Sequence, residues 1–258
     1  MIKKPTIAEQ FSMQNATNQR TSDLAYYANL NNYWDTSIGS NLDKLRAFTK
    51  YVPVGEFSKL FVKYELFKKI LNVQGSIVEC GVHQGGGVLT WGILSSIFEP
   101  VNHLRKIIGF DTFEGFADIA EQDKVHNNGH AKVGGLSVNA YDDLKESIKL
   151  FDSFRPLGHI PKIELVKGDA TETIETYIKN NPHLVVSMLY LDFDVYTPTR
   201  RAIELLRSRM PIGSMIVFDE LNIREWPGET QALHDTLGIS NLRIERFPFH
   251  PQISYAIL

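Results

Sequence analysis

Carboxylates recur along this chain wherever a strand-like apolar run gives out. Glu79 closes the first such run, Ile77–Cys80, and Asp111 follows the second, Lys106–Phe110. Asp169 comes after Ile163–Val166, Asp192 and Asp194 after Val185–Leu191, and Asp219 and Glu220 after Ser214–Phe218. In an open α/β sheet, ligands sit beyond the carboxyl ends of the strands. One acid at a strand end is explained by helix capping. Five strand ends in succession are not, because clustered like charges destabilise a fold unless cations or hydroxyl donors answer them. Asp192, Asp194, Asp219 and Glu220 offer hard oxygen ligands from two adjacent strand ends, a set that suits Mg²⁺. A hydroxyl bound to such an ion is acidified and becomes a better nucleophile near neutral pH. The plainer alternative is that some of these acids are solvated or cap helices, Asp194 beside Thr197 and Thr199 being the obvious case.

The first run leads into Glu79-Cys80-Gly81-Val82-His83-Gln84-Gly85-Gly86-Gly87. An apolar strand, an acid and a glycine-rich turn opening a helix form the entrance to a nucleotide fold. A dinucleotide turn has glycines spaced G-x-G-x-x-G. Here His83 holds the second glycine position and the glycines cluster late, so an NAD-dependent dehydrogenase is disfavoured. The spacing Glu-x-Gly-x-x-x-Gly-Gly resembles instead the first motif of class I S-adenosylmethionine methyltransferases. That cofactor has no pyrophosphate, but its ribose and cationic amino-acid tail need close backbone approach and a carboxylate. Gly81, Val82, Gly85 and Gly86 provide the first, and Glu79 orients the ammonium, directly or through backbone geometry. Asp111, with Thr112 and Phe113 behind it, is expected to accept both ribose hydroxyls, capping of the next turn being the alternative. Asp169 and the Ala170 backbone are expected at the adenine amino group, a role compatible with Asp169 capping the helix that follows.

These residues require alternating strands and helices. Besides the runs above, Leu242–Phe247 and Gln252–Ile257 read as strands joined by the turn Pro248-Phe249-His250-Pro251. Helical runs are expected at Phe57–Leu71, Val88–Phe98, Asp142–Phe151, Thr171–Asn180, Thr199–Arg209 and Glu229–Leu237. The fold class is therefore α/β: a doubly wound, Rossmann-like, seven-stranded sheet ending in an antiparallel hairpin, an ending typical of class I methyltransferases. Residues 1–50 are polar but carry Tyr26, Tyr27, Tyr33 and Trp34, and are read as a partly ordered arm or lid. Residues 51–258 form the main domain. The stretch 113–141 breaks the alternation and is long enough to suggest a functional lid. Its His126 and His130 lie among glycines and asparagines, which argue against a helical metal-binding pair.

The 258 residues suffice for one large core, and a net charge of −3 disfavours a general electrostatic grip on nucleic acid. Cys80 is the only cysteine, which precludes an internal disulfide and suits a cytoplasmic protein. It reads as a buried strand residue. No apolar run reaches membrane-spanning length, and the N-terminus lacks the apolar core of a signal peptide. The aromatic arm makes a homo-oligomer plausible.

Taken together, Ile77–Gly87, Gly109–Phe113, Lys167–Ala170, Leu191-Asp192-Phe193-Asp194-Val195-Tyr196-Thr197-Pro198-Thr199 and Ile216-Val217-Phe218-Asp219-Glu220 resemble the macrocin O-methyltransferase family over roughly residues 55 to 258. The specific part is Leu-Asp-x-Asp-x-Tyr followed by an acidic pair after the next strand. The resemblance implies an Mg²⁺-dependent sugar O-methyltransferase of natural-product or polysaccharide pathways, using S-adenosyl-L-methionine and acting on a small-molecule or glycan hydroxyl. It implies Asp192, Asp219 and Glu220 as metal ligands, Asp194 as general base, and Asp111 and Asp169 at the cofactor, with Asp192 serving catalysis and the cofactor side as well. The family pattern usually ends in Asp-Asp, and Glu220 departs from it. A catechol-type enzyme would carry a lysine where this chain has Val195, which weakens a catechol substrate. The rival readings are a metal-dependent hydroxylase of related fold, for which no histidine pair accompanies the acids, and a non-catalytic binding or assembly protein that keeps the fold.

Overall fold

The computed structural model describes residues 21–124 and 128–258. The first part of the expected N-terminal arm (1–20) and His126 lie outside the described residues. The chain divides into two compact units, one ending at Phe57 and one running from Ser58 to Leu258.

In the first unit, α1 (Thr21–Thr36) and α2 (Asn41–Arg46) are followed by a single 3₁₀ turn, Phe48–Lys50. A reciprocal pair of bonds starts α2: the Asp43 N–H donates to Ser40 Oγ at 3.3 Å and the Ser40 N–H donates to Asp43 Oδ2 at 3.0 Å. The aromatics noted in the sequence pack on one another, with Tyr51 stacked on Tyr33 at 5.6 Å and edge-on to Trp34 at 4.8 Å.

In the larger unit, β1 (Ser76–Cys80), β2 (Ile107–Asp111), β3 (Ile163–Lys167), β4 (Val186–Leu191), β5 (Met215–Phe218), β6 (Glu245–Phe247) and β7 (His250–Ile257) form one sheet in the order β3-β2-β1-β4-β5-β7-β6. The pairs from β3 to β5 are parallel, and β7 runs antiparallel to both β5 and β6. This is the class I methyltransferase topology with its C-terminal hairpin. Strands β1 and β4 are buried along their whole length, as parallel strands covered on both faces must be. One face carries Ile77, Met188, Tyr190 and Val217 against α3 (Val54–Ile70), α4 (Gly86–Phe98) and α5 (Tyr141–Phe154). The other carries Val78, Leu189, Leu191 and Phe218 against α6 (Ala170–Asn180), α7 (Tyr196–Leu206) and α8 (Gly228–Thr236). Strand order reverses at β1, which lies between β2 and β4, so the crevice above its carboxyl end is the expected ligand position.

Two differences from the sequence reading have clear causes. Strand β6 begins only at Glu245, and β7 begins at His250, so the hairpin turn shrinks to Pro248-Phe249 with Phe247 paired to His250. Prolines on either side of Phe249 confine the turn without ending the pairing. Secondly, the 113–141 stretch is tied to itself. Phe116 exchanges hydrogen bonds with the glycine pair (its N–H to Gly135 O at 3.2 Å, Gly134 N–H to its carbonyl at 2.9 Å), and Glu121–Asp123 forms a 3₁₀ turn. Backbone pairing across the two glycines supplies order that side-chain periodicity cannot announce.

At the amino end of the sheet, buried Arg105 fastens several segments together. Its guanidinium donates to Glu99 Oε1 (2.7 Å), Gly75 O (2.8 Å), Ser187 Oγ (2.6 Å), Ile70 O (3.2 Å) and Val73 O (3.0 Å).

Candidate active site

The strand ends remain laddered for one residue past the sheet. Gly81 N–H donates to Phe110 O (2.9 Å), Asp192 N–H to Cys80 O (2.8 Å), Asp219 N–H to Leu191 O (3.0 Å) and Gly168 N–H to Asp111 O (2.9 Å). Backbone pairing thus sets Asp111, Asp192 and Asp219 along one rim. Gly81, at φ +95°, touches that rim so closely that a Cβ would sit 1.9 Å from the Asp192 carbonyl oxygen. Only glycine fits there. Non-glycine residues with positive φ occur at the tips of these loops: His83, Phe113, Asp194 and Asn222. Strained backbone of this kind gathers where a structure holds functional groups in place.

Each acid of the cofactor half has a definite local role. Asp111 receives the N–H groups of Val82 and His83 on Oδ2 (2.7 and 2.8 Å) and that of Phe113 on Oδ1 (2.6 Å). It clasps the glycine loop to the end of β2, and three of its roughly four lone-pair sites are thereby used. The capping role is the one the structure displays, and the acceptor site that remains is on Oδ1. Asp169 caps α6, its Oδ1 accepting Thr171 N–H (2.9 Å) and the Thr171 hydroxyl (2.8 Å), with Ala170 buried behind it. Thr112 bonds Gly115 O (2.6 Å), and the buried Phe113 ring packs on Tyr141 at 5.2 Å. Gly85, at φ +82°, precedes α4 and turns the chain into the helix. Glu79 is 2% exposed and accepts the Trp91 indole N–H. Burial lifts its pKa to about 6 against the pull of Lys63, the indole and the Val88 N–H. Glu79 therefore lies beneath the loop, buried against the start of α4 and bonded to the Trp91 indole. The neighbouring glycine makes room: a Cβ on Gly87 would lie 2.1 Å from Glu79 Oε1. Cys80 is buried, and burial followed by Glu79 pushes its thiol well up, so it is a packing residue.

The second half of the site is a carboxylate cluster. Asp192, Asp194 and Glu220 present oxygens that all lie within 4.8 Å of one another. Burial is the largest cause raising all three: Asp192 goes well up with help from Asp219 and Asp194, and Glu220 well up with help from Asp194 and Asp219. Asp194 rises to about 7, with Asp219 adding to burial and a Glu220 hydrogen bond opposing it. Glu229, the second residue of α8, is wholly buried, accepts the Glu220 N–H at 2.9 Å and is likewise raised by burial. Among the described residues, Glu220 Oε2 and Glu229 Oε1 are buried without a hydrogen-bond partner. Several acids that repel one another around orphaned oxygens fit a divalent cation with hard-ligand preferences.

Asp219 stands apart from that trio. Burial would raise it, but Lys59, Lys63 and the Tyr190 hydroxyl outweigh burial and lower its pKa. Tyr190 donates to Asp219 Oδ1, and Lys59 Nζ lies 3.8 Å from Oδ2. Lys63 is buried over the rings of Tyr190 (3.9 Å) and Trp91 (4.7 Å). The tightest grouping of oxygens thus includes Asp194 where the sequence reading expected Asp219. The cationic and aromatic partners Lys59, Lys63, Trp91 and Tyr190, and the buried Glu229, were missed by the sequence reading. One visible signal was Lys63 within the apolar stripe of α3, where Val62, Leu66, Phe67 and Ile70 are its buried companions.

Comparisons with known proteins place the chain in a family. The family model described as macrocin O-methyltransferase (TylF) matches residues 65–238. Among solved structures, the calicheamicin methyltransferase CalS11 superimposes with a TM-score of 0.89 at 30% identity, over 93% of this chain and 94% of that one. An apo structure of CalS11, described as a TDP-rhamnose 3'-O-methyltransferase of calicheamicin biosynthesis, gives 0.81 at 28% identity over 93% and 96%. The O-methyltransferase NovP gives 0.60 at 18% over 77% and 78%, a likeness of fold. Among curated proteins no sequence match is found. The dehydrogenase, hydroxylase and non-catalytic readings are set aside by these relationships. The chain belongs to the macrocin O-methyltransferase family of S-adenosylmethionine-dependent sugar O-methyltransferases.

Proposed function

We propose that this enzyme methylates a hydroxyl of a sugar, free, nucleotide-linked or carried on a glycan or natural product, with the help of Mg²⁺. The carrying observation is the cluster of half-buried Asp192 and Asp194 with buried Glu220, whose Oε2 has no partner among the described residues. Asp192, Asp219 and Glu220 would hold the ion. Tyr190 engages Asp219 Oδ1, and Oδ2, the oxygen that would ligate, faces Lys59 Nζ at 3.8 Å. When bound, the metal supplies acidification and orientation of a sugar hydroxyl. Asp194, which burial and then Asp219 raise to about 7 in the metal-free cluster, would serve as the general base. Asp194 would take the hydroxyl proton, and the bound cofactor would supply the methyl group to that oxygen, its sulfur departing as a neutral thioether. The loop Gly81–Gly86, clasped by Asp111, would seat the cofactor's ribose and amino-acid tail, with Thr112, Phe113, Asp169 and Ala170 on the adenine side. Most of the protein's contribution is positioning. Among the described residues no helix is long and apolar enough to cross a membrane, and we read the enzyme as cytoplasmic, with a small-molecule or glycan partner and not nucleic acid.

The discriminating experiment is Asp194→Asn with TDP-rhamnose as the first acceptor, read by calorimetric Mg²⁺ binding and by turnover. A base gives wild-type Mg²⁺ affinity and a loss of turnover of about a hundredfold or more. Lost Mg²⁺ affinity would make Asp194 a ligand, and retained turnover would remove it from the chemistry.

A further inference from the structure

Helix α7 starts immediately after Asp194, and its own sequence gives it no side-chain cap. Val195 occupies the cap position without a side-chain bond, and the Thr199 hydroxyl turns back to Val195 O at 2.7 Å. The N–H of Tyr196, the first helical residue, donates instead to Asp123 Oδ1 at 2.8 Å. Asp123 comes from 73 residues upstream, in the 3₁₀ turn of the 113–141 insertion. It is 2% exposed, and its other oxygen accepts the Ala120 N–H at 3.1 Å.

A third segment closes around this bond. At Gly228, the first residue of α8, a Cβ would lie 2.3 Å from Asp123 Oδ1, 2.6 Å from Tyr196 N and 2.8 Å from the Asp194 carbonyl oxygen. The absence of a side chain there lets the carboxylate reach the helix end. Asp194 itself is left-handed at φ +61°, and the Val195 N–H folds back onto Phe193 O at 2.6 Å. The turn bearing Asp194 is therefore held on its upstream side by the Asp192–Cys80 backbone bond and on its downstream side by Asp123. Two further ties run between the insertion and the segment preceding α8: Asn128 Nδ2 to Glu225 O at 2.8 Å, and the Phe116 ring against Trp226 at 5.7 Å.

We propose that Asp123 is a positioning residue for the reaction: it supplies from a distance the cap that α7 lacks, and so fixes the turn that aims Asp194 at the substrate hydroxyl. The insertion then works as a strut for the base, whatever cover it also provides. This rests on the reading of Asp194 as the base. A side-chain oxygen accepting an N–H at a helix start is the usual capping interaction, and the bond here replaces a local cap by one that couples two loops.

The test uses the full chain with Asp123→Ala, Asp123→Asn and Gly228→Ala. Three readouts are needed: amide hydrogen exchange at Val195 to Thr197, S-adenosylhomocysteine affinity, and kcat and KM with TDP-rhamnose below the melting temperature. For Asp123→Ala, exchange at Tyr196 should rise at least about tenfold and kcat should fall by about tenfold to a hundredfold. KM and S-adenosylhomocysteine affinity should stay within about twofold, since Asp111 and the glycine loop are untouched. Asparagine is as good a cap as aspartate but keeps one acceptor oxygen, so Asp123→Asn, with that oxygen on Tyr196 N–H and the Ala120 N–H given up, should restore most of the exchange protection and kcat lost in Asp123→Ala. Gly228→Ala should reproduce the alanine phenotype without altering Asp123, which covers the case of an Asp123→Ala protein that does not fold. A residue that only stabilised the fold would lower the melting temperature and leave kcat in place. Unchanged exchange at Tyr196, or wild-type kcat in Asp123→Ala, overturns the proposal. Asp194→Asn with wild-type turnover would mark a different failure, that of the base assignment, even if exchange responds as expected.

Discussion

Two adjacent glycines should respond to the same substitution with opposite signs. A Cβ on Gly86 meets nothing within 4 Å, whereas a Cβ on Gly87 lies 2.1 Å from Glu79 Oε1 and 2.4 Å from Oε2. Both residues are in the first turn of α4. Alanine at either gains up to about 1 kcal/mol of helix propensity. At Gly87 that gain is overwhelmed. Glu79 is 2% exposed and cannot withdraw to solvent, and its displacement strips the Trp91 indole of its acceptor. A hydrogen bond to a charged group is worth about 1.5–3 kcal/mol, and overpacking adds about 1–3 kcal/mol. The net expectation for Gly87→Ala is a loss of about 2–4 kcal/mol, or a melting temperature lower by about 5–15 °C at some 2–4 °C per kcal/mol for a domain near this size. Gly86→Ala should be neutral or raise it by a few degrees. Chemical unfolding of the cofactor-free protein, fitted for both midpoint and slope, is the assay, because ligand contacts to Gly86 are then irrelevant. Equal effects at the two sites, or a stabilised Gly87→Ala, would refute the claim that the glycine exists to admit a buried carboxylate.

The raised carboxylates also predict how stability follows pH. Asp194 (3.8 to about 7) and Glu79 (4.5 to about 6) hold protons in the folded state that the unfolded chain has released; their contribution is therefore full below about pH 4 and lost as pH rises towards 7. Asp219, shifted the opposite way, loses its smaller contribution only in acid. Metal-free protein should thus melt lower at pH 7.5 than at pH 5, and millimolar Mg²⁺ should raise the melting temperature at pH 7.5 and scarcely at pH 5; a Mg²⁺ shift equal at both would count against the site. Lys162, lowered to about 8 by burial, works in the opposite direction as pH rises through its pKa, where it is half titrated. At the opposite end of the sheet, Arg105→Met should cost about 3–5 kcal/mol, because Glu99 and several carbonyls lose a buried partner, yet leave S-adenosylhomocysteine affinity of the folded protein unchanged when titrated well below its melting point.

Much of this could be read from the chain because strand ends are local events. The run from Ile77 to Gly87 fixes a strand, a turn and a helix start within eleven residues, and the acids after β2, β3, β4 and β5 needed no knowledge of their neighbours. The helices with a marked apolar face, such as Tyr141–Phe154, were found within a few residues. The illegible part was made of contacts between distant residues of unremarkable type. Lys59 looks like part of the solvated face of an amphipathic helix until Asp219 is folded onto it. Asp123 sits in a loop without periodicity, and its partner is a backbone N–H, which leaves no trace in side-chain pattern. The different surroundings of Asp194 and Asp219 are likewise set by distant residues, since Tyr190 and Lys59 reach Asp219.

The hairpin at the end of the sheet has a consequence for how the protein is made. Strand β5, which delivers Asp219 and Glu220, pairs on one side with β4 and on the other with β7. Residues 219–249 separate β5 from β7 in synthesis, so a nascent chain holds β5 as an open edge while α8 and β6 are produced. An open apolar edge is a template for pairing with another chain. The acids just beyond it, unneutralised until the fold closes, discourage the approach of a like-charged copy. The same carboxylates that burden the mature site with repulsion can serve as gatekeepers during folding.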